Sequence, residues 1–428
     1  MPLKCSTCFL FLPFVSISIA ALGADPGGLP APAPEAVLTL AEARQRALAG
    51  NPEFLASQAQ VRAAEAGLDQ ARALPNPELS YEVEDFGSTP SADVEKQRTL
   101  SLTQVFDPFG KRRARVTAAL HDRGVAANDA GGRRLDVLAE VERRFVALLG
   151  AQERQAIATE GAATAAQVRS VVAALVQTGE ASPIEATRAE NEEIIAGVDA
   201  ATAERDLELA KSALARLWGA DRPDFASAAG TLADAVPLPE LDVALENLAS
   251  LPDLARWDEE TASLEALQVA ARRQPLPDLA FSAGTRWYGG GGHGYVAGVA
   301  LAIPVLSTAA GARKEAAVRL EQAALARRGE EVRLRSALRE TRATIVRALA
   351  EVRVLRGEVL PRARQVYEAL DEGYRRGKFR LLDLLEARRA LAATRLRLVD
   401  ALVRLNEARA DLRRLLPDGD AIANGDQP

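Results

Sequence analysis

Few side chains in this 428-residue sequence have the means to do covalent chemistry. His121 and His293 are its only histidines, so a Ser-His-Asp arrangement would have to use one of them, and no nucleophile-elbow motif accompanies either. His293 sits in the run Gly289-Gly290-Gly291-Gly292-His293-Gly294 and reads as a solvated loop residue, whereas His121 lies in an arginine-rich helical pattern and reads as surface. The glycine run is not a phosphate loop, because no Lys-Ser/Thr follows it and it opens a strand rather than a helix. Soft-metal chemistry has no better footing: Cys5 and Cys8 are the only cysteines and Met1 the only methionine. Acids remain. Asp383 and Glu386 stand at i, i+3 on one face of a helix, just after the turn Tyr374-Arg375-Arg376-Gly377-Lys378-Phe379. Glu185 stands six residues after Gly179, as Asp383 does after Gly377. Such carboxylates hold or repel charge; they turn nothing over. No catalytic residue, metal site or cofactor is expected.

The composition explains what kind of scaffold carries them. Aromatics make up 4% of the chain, and Ala, Leu, Arg and Glu fill long stretches, which suits extended helices or coiled coils better than a thick core. A net charge of −6 supplies no basic field for nucleic acid. At the N-terminus Lys4, the apolar run Phe9 to Ala21 and the small residues Ala21-Leu22-Gly23 predict a signal peptide over 1–23, cleaved after Gly23. Residues 24–36, rich in Pro, Gly and Ala, follow as a flexible leader. The processed chain would carry no thiol, hence no disulfide and no lipid-bearing N-terminal Cys. No later run of about 18 apolar residues occurs, so insertion into a bilayer would have to use β-strands.

An internal repeat of about 200 residues orders the rest. Asn51-Pro52-Glu53 recurs as Leu251-Pro252-Asp253, and Pro75-Asn76-Pro77-Glu78-Leu79 as Pro275-Leu276-Pro277-Asp278-Leu279. Gly179 with Ile184-Glu185-Ala186 matches Gly377 with Leu382-Asp383-Leu384. The halves span 37–221 and 241–416, joined by a linker over 222–240 and followed by a tail over 417–428. Each half reads as helix, two strands, long helix, shorter helix. Thr39 and Glu42 form a capping box for a helix to about Ala73, broken at Gly50-Asn51-Pro52. A long helix is predicted over Lys111 to Gln177, with Gly131-Gly132 marking a kink or register change, and a shorter one over Pro183 to Leu217, capped by Ser182. The second half predicts helices over Leu241 to Arg273, Ala312 to Arg376 and Leu382 to Leu416. Two short helices end to end match one long helix, as in a chain that climbs, turns and descends. Gly179 and Gly377 are assigned to the turns between long and short helices.

Between the helices lie hairpins at about 78–106 and 278–303 with period-two alternation. Leu79, Tyr81 and Val83 alternate with Ser80, Glu82 and Glu84, and Leu279, Phe281 and Trp287 with Ser282, Gly284 and Arg286. Each segment is about ten residues long, the length of a tilted transmembrane strand. Four strands cannot close a barrel, so strands placed in lipid demand other copies of the chain. The alternative is a soluble protein with two hairpins packed on helices.

In sum, the Asn-Pro-Glu break, the Pro-Asn-Pro-Glu-Leu strand entry, the Pro108-Phe109-Gly110-Lys111-Arg112-Arg113 exit into a long helix and the repeated Gly-x5-[Asp/Glu] turn resemble the TolC-like outer-membrane efflux family. The wording from Phe109 to Arg115 is most similar to the branch serving heavy-metal resistance pumps. The resemblance implies a mainly α fold with a small β part. It implies a homotrimer in the outer membrane whose four strands per chain complete one transmembrane β-barrel above a helical coiled-coil barrel in the periplasm. It also implies a periplasmic adaptor and an inner-membrane resistance-nodulation-division pump as partners, with outer-membrane lipid around the barrel. Under this reading Asp383, Glu386, Glu185, Tyr374 and Arg376 line or tie the periplasmic aperture, with Arg376 or Lys378 as bases able to pair the acids. Two readings of the acids stay open, aperture ring or first-turn complement to the helix dipole. Two readings of the chain stay open as well: an efflux duct, with heavy-metal cations as candidate cargo, or an exported coiled-coil scaffold that binds partners without conducting.

Overall fold

The computed structural model describes residues 36–84, 96–232, 238–303 and 309–416; the signal, leader and tail predicted above lie outside them. Strand β1 (Val37–Leu38) leads into α1 (Leu40–Gly50), which the Thr39–Glu42 capping box starts: the Glu42 carboxylate accepts from the Thr39 backbone N–H at 3.0 Å, and the Thr39 hydroxyl accepts from the Glu42 N–H. Asn51 separates α1 from α2 (Pro52–Arg72). Its Oδ1 caps Phe54 N–H at 2.9 Å while its Nδ2 donates to Leu217 C=O at 2.8 Å, which fixes the break against the far end of the first half. Then come β2 (Glu78–Glu84), β3 (Gln97–Phe106), the 68-residue α3 (Lys111–Thr178), α4 (Pro183–Ala215) and β4 (Ser227–Ala228). The second half follows the same order: α5 (Leu241–Asn247), α6 (Pro252–Arg273), β5 (Leu279–Tyr288), β6 (His293–Leu301), α7 (Ala310–Val354), α8 (Leu360–Arg375) and α9 (Leu381–Arg414). At 1.5 Å per residue α3 is about 100 Å long. In the chain it packs against α2 and α6 over one half and α4 and α9 over the other, while α7 packs on α6 and α9.

Four details depart from the sequence reading. Α continuous helix over Leu241 to Arg273 is interrupted by a 3-10 turn at Leu248–Ser250, because Pro252 lacks the N–H that would carry the helix through. The second long helix contains a π turn at Leu355–Val359, closed by Leu360 N–H to Leu355 C=O. Pro361 explains it: the ring and missing N–H exclude an ordinary bond to the Gly357 carbonyl, and one widened turn accommodates both. Gly131-Gly132 produces no break. A Cβ on Gly131 would sit 3.3 Å from the Pro252 ring, so the glycines admit the start of α6 against α3. The 222–240 stretch is more than a connector: β4 pairs in parallel with β1, Phe225 and Ala228 are buried, and Gln152 exchanges two hydrogen bonds with the Ala228 backbone.

Two apolar cores occupy the middle of the molecule, one in each half. The first gathers Leu38, Phe54, Val141, Phe145, Leu148 and Leu214; the second gathers Leu248, Leu251, Leu338, Ile345, Leu402 and Leu405; Leu232 packs against both. Arginine–carboxylate ties stitch the same level. Glu142, buried on α3, holds Arg44 of α1 and Arg413 of α9. Arg414 spans α9 to Asp136 of α3 at 2.6 Å and to Asp253 of α6 at 2.8 Å. Burial alone would raise the Asp253 carboxyl, but the Arg414 hydrogen bonds outweigh it and hold the group below its ordinary range.

A folded-state pKa that is depressed contributes stability above the unfolded value and loses it as pH falls through the folded one. Thermal denaturation should therefore show a falling midpoint as pH drops below about 4, and Arg414→Ala, which strands the largely shielded Asp253 charge, should cost up to about 3–5 kcal/mol at neutral pH. The cost should shrink in acid, where Asp253 protonates.

Candidate functional site

The candidate functional parts are the sheet and the two helix-hairpin turns. The sheet is antiparallel in the order β2-β3-β5-β6, so β3 and β5 join the two halves and β2 and β6 are open edges within one chain. Its register sorts the residues by chemistry. Leu79–Leu102–Ala283–Ala297, Tyr81–Leu100–Thr285–Tyr295 and Phe106–Leu279–Leu301 form cross-strand rows on one face. Ser80–Ser101–Gly284–Val296 and Glu82–Thr99–Arg286–Gly294 form rows on the other. On the apolar face Leu79 is 67%, Tyr295 86% and Val299 66% exposed, a surface that water alone does not favour. On the polar face the Ser80 and Ser101 hydroxyls are 2.7 Å apart and Arg286 Nε donates to Thr99 Oγ1 at 3.0 Å. A Cβ on Gly284 would collide with the Leu100 carbonyl oxygen, so glycine there keeps the strands in register. His293 is the first residue of β6, opposite Trp287 and edge-on to Tyr295, and not the loop residue its glycine-rich surroundings predict. His121 Nδ1 lies 2.7 Å from Glu259 Oε2, bridging α3 to α6.

The two turns are wired alike. Gly179 and Gly377 have φ of 80° and 70°, the left-handed region glycine tolerates. Beyond each, an N–H reaches back five residues, Glu180 to Leu175 C=O and Lys378 to Gly373 C=O, both 2.8 Å. These are Schellman closures. The next helix is then capped by an acid. Glu185 accepts from Ser182 N–H at 3.3 Å; Asp383 accepts from Arg380 N–H at 3.2 Å and pairs with the Arg380 guanidinium at 3.4 Å. The base beside Asp383 is thus Arg380, three residues before it, rather than Arg376 or Lys378. Arg376 turns back to Glu372 one helical turn away. Glu386 is exposed one turn beyond Asp383. Tyr374 packs with Val168, Val172, Ala189, Leu381 and Leu385 in a small apolar cluster that joins the two hairpins. Its buried hydroxyl makes no hydrogen bond among the described residues. Burial, with the Glu185 charge adding, pushes the phenol above its ordinary range.

Sequence reasoning missed the strongest polar contact near the turns. Glu192 on α4, its side chain 6% exposed, is gripped by Arg388 at 2.5 Å and by Arg389. Nearly two hundred residues separate the partners, so no local pattern reveals them. The Arg389 hydrogen bond chiefly holds the Glu192 carboxyl below its ordinary range, against the effect of burial.

Because an unpaired buried hydroxyl costs about 1–3 kcal/mol, Tyr374→Phe should leave the thermal midpoint of the purified protein unchanged or raise it. A fall would mean that a group from outside this chain reaches the hydroxyl.

No helix among the described residues is long and apolar enough to cross a membrane, and no group of three or more His, Cys, Asp or Glu there is placed to hold a metal ion. The chain is 32% identical over 384 residues to the cobalt-zinc-cadmium resistance protein CzcC of Cupriavidus metallidurans, covering 89% of this chain and 90% of that protein. Its fold is similar to that of CusC, with a TM-score of 0.74 at 17% identity over 88% of this chain and 91% of CusC. It is also similar to the open state of the MtrE outer membrane channel of Neisseria gonorrhoeae, with a TM-score of 0.73 at 20% identity over 88% of each chain. The model of the outer membrane efflux protein family matches residues 43–220 and 228–417, which hold both hairpins and both turns. This chain belongs to the outer membrane efflux protein family.

Proposed function

We propose that the protein works as a homotrimeric, passive duct of a tripartite efflux system, taking substrate from an inner-membrane resistance-nodulation-division pump through a periplasmic adaptor and across the outer membrane. The observation that carries the reading is the sheet. Its apolar face is exposed, its polar face carries Ser, Thr, Glu and Arg, and β2 and β6 are left unpaired. Backbone groups unpaired in hydrocarbon cost several kcal/mol each, so strands in lipid must close on neighbouring copies. Three copies supply twelve strands. The helices agree with this closure. Their packing order α2, α3, α6, α7 follows the strand order β2, β3, β5, β6, so the rotation that joins β6 to the next β2 also brings α7 to the next α2. Along α7, Val318, Leu325, Val332 and Val346 are exposed at heptad spacing, with Arg339 filling the remaining position, and on α4 Ile184, Ile195, Val198 and Leu209 are exposed as well. Such stripes are what a helical seam between copies would bury. A scaffold that conducts nothing would have no use for a two-faced sheet.

The similarity to a cobalt-zinc-cadmium resistance protein supports divalent metal cations as cargo. With the only methionine, Met1, and both cysteines confined to the predicted signal, selectivity for soft metals would belong to the pump. The turns at Gly179 and Gly377 form the periplasmic end, and Asp383 and Glu386, repeated three times about the axis, would make a negative ring at its mouth. Asp383 serves its helix as a cap at the same time.

The duct reading predicts a heat-modifiable trimer in outer-membrane fractions; recovery as a stable, soluble periplasmic monomer would overturn it. For the mouth, Asp383→Ala with Glu386→Ala should alter single-channel conductance or weaken block by multivalent cations in planar bilayers. Unchanged conductance and block would remove the acids from the aperture.

A further inference from the structure

The apolar face of the sheet changes character at one end. Beyond Tyr81–Leu100–Thr285–Tyr295, toward the hairpin tips, the next row on that face is Val83–Arg98–Trp287–His293. Arg98 and His293 are exposed there on either side of Trp287, itself 41% exposed. Adjacent strands lie about 4.8 Å apart, so these two side chains start about 10 Å from each other with the indole between them. Lys96, exposed just before β3 and across from Gly289, precedes Arg98 by two residues and therefore falls on the same side. The Tyr295 ring stands edge-on to His293 and closes the cluster on the β6 side.

Charge is sorted between the faces. Among the described residues no acid stands on the apolar face: Glu78, Glu82 and Glu84 alternate onto the other, where Arg286 lies 3.8 Å from Glu84. No described carboxylate pairs with Lys96 or Arg98. The helix end of the sheet treats its bases differently. There Lys111 pairs with Asp278 at 3.0 Å, Arg112 Nε donates to the Arg72 carbonyl at 2.9 Å, and Arg273 donates to the Gly110 carbonyl at 2.8 Å. From Phe106 to Arg98 runs about 27 Å of strand, and the side chains of this face over that distance are apolar or aromatic except Gln104 and Thr285. A guanidinium facing hydrocarbon is costly at the middle of a bilayer and tolerated near its interface, the level at which Trp and Tyr also collect. The row thus sits at headgroup height with unspent positive charge.

We propose that Arg98, Lys96 and His293 form a binding site for the phosphate groups of an anionic lipid headgroup in the leaflet nearest the hairpin tips, with Trp287 packed against the start of its acyl chains. This inference rests on the reading of the sheet as part of a membrane barrel. Arg98 supplies a planar fork able to take two phosphate oxygens, Lys96 a point charge beyond it, and His293 an imidazole N–H from the other side of Trp287. Because His293 lies on β6, a strand left open within one chain, a headgroup held there reaches the seam between neighbouring copies. Three copies place three such sites around the rim.

The test uses the full-length protein purified in detergent and equilibrated with diphosphorylated lipid A or with its dephosphorylated form, the bound lipid being counted by native mass spectrometry. The parent protein should hold the phosphorylated lipid about ten-fold more tightly than the dephosphorylated one. Arg98→Gln with His293→Gln should remove most of that preference, while Arg62→Gln, the same loss of charge on an exposed position of α2, should keep it. Arg98→Lys retains the charge without the fork and should fall between the two; it also serves if the double variant fails to assemble. Equal retention of the two lipids by the parent, or an undiminished preference in both Arg98 variants, overturns the site. Displacement of the phosphorylated lipid by an equal concentration of inorganic phosphate would make the row a site for the free ion and overturn the lipid assignment. A heat-modifiable outer-membrane trimer without the preference leaves the duct standing and removes the site. A soluble monomer that still prefers the phosphorylated lipid keeps the site and removes the duct.

Discussion

In the proposed duct every backbone N–H and C=O that enters hydrocarbon must find a protein partner, and the order of strands and helices is what answers that condition. The chain's two hairpins pair with each other through β3 and β5, leaving one edge from each half of the sequence. The order in which helices α2, α3, α6 and α7 pack is then dictated by the order of the strands they adjoin. The long helices inherit their lateral neighbours from the sheet, and their length places the turns far from it. A chain with a thick globular core would have no such coupling between one end and the other.

Away from the sheet, apolar burial is concentrated at mid-height and thins toward the turns. Arginine ties fill the gap, and they differ in kind. Pairs such as Arg319–Glu315 lie along one helix on the surface and contribute little. Arg44–Glu142–Arg413 and Arg414–Asp253 join separate helices in places shielded from water, where mismatched partners would be strongly penalised. These shielded ties act less as adhesive than as register marks that select one alignment among the many a heptad-like pattern permits.

Local chemistry was legible in the sequence. Thr39 with Glu42 and Ser182 before Pro183 each announce a helix start, Gly50-Asn51-Pro52 announces a break, and the structure has all three. The alternation of Leu79, Tyr81, Leu100 and Leu102 with serines and threonines matches the two faces of the sheet. What could not be read are effects that need a partner distant in sequence. Gly131-Gly132 looks like a helix weakness until Pro252 is seen against it. Glu192 looks like one more surface acid in an acidic helix until Arg388 and Arg389 are folded onto it. The pairing of β1 with β4 involves two residues on each side, too few for any periodicity. The π turn is a different case, because Pro361 lies in plain view inside the predicted helix.

That widened turn has an angular consequence. A π turn inserts one residue's worth of backbone into an α-helix, and each residue of an α-helix is worth about 100° of rotation. Everything from Leu360 to the turn at Gly377, a stretch about 25 Å long, is therefore turned about its own axis by up to about 100° from where an unbroken α-helix of the same length would carry it. Removing one residue between 355 and 359 would restore even winding and leave Tyr367, Tyr374 and the following loop facing as they do, whereas forcing the full length into regular α-helix would turn them to a different neighbour. Which face the far end presents is thus set by a one-residue allowance near the centre of the molecule.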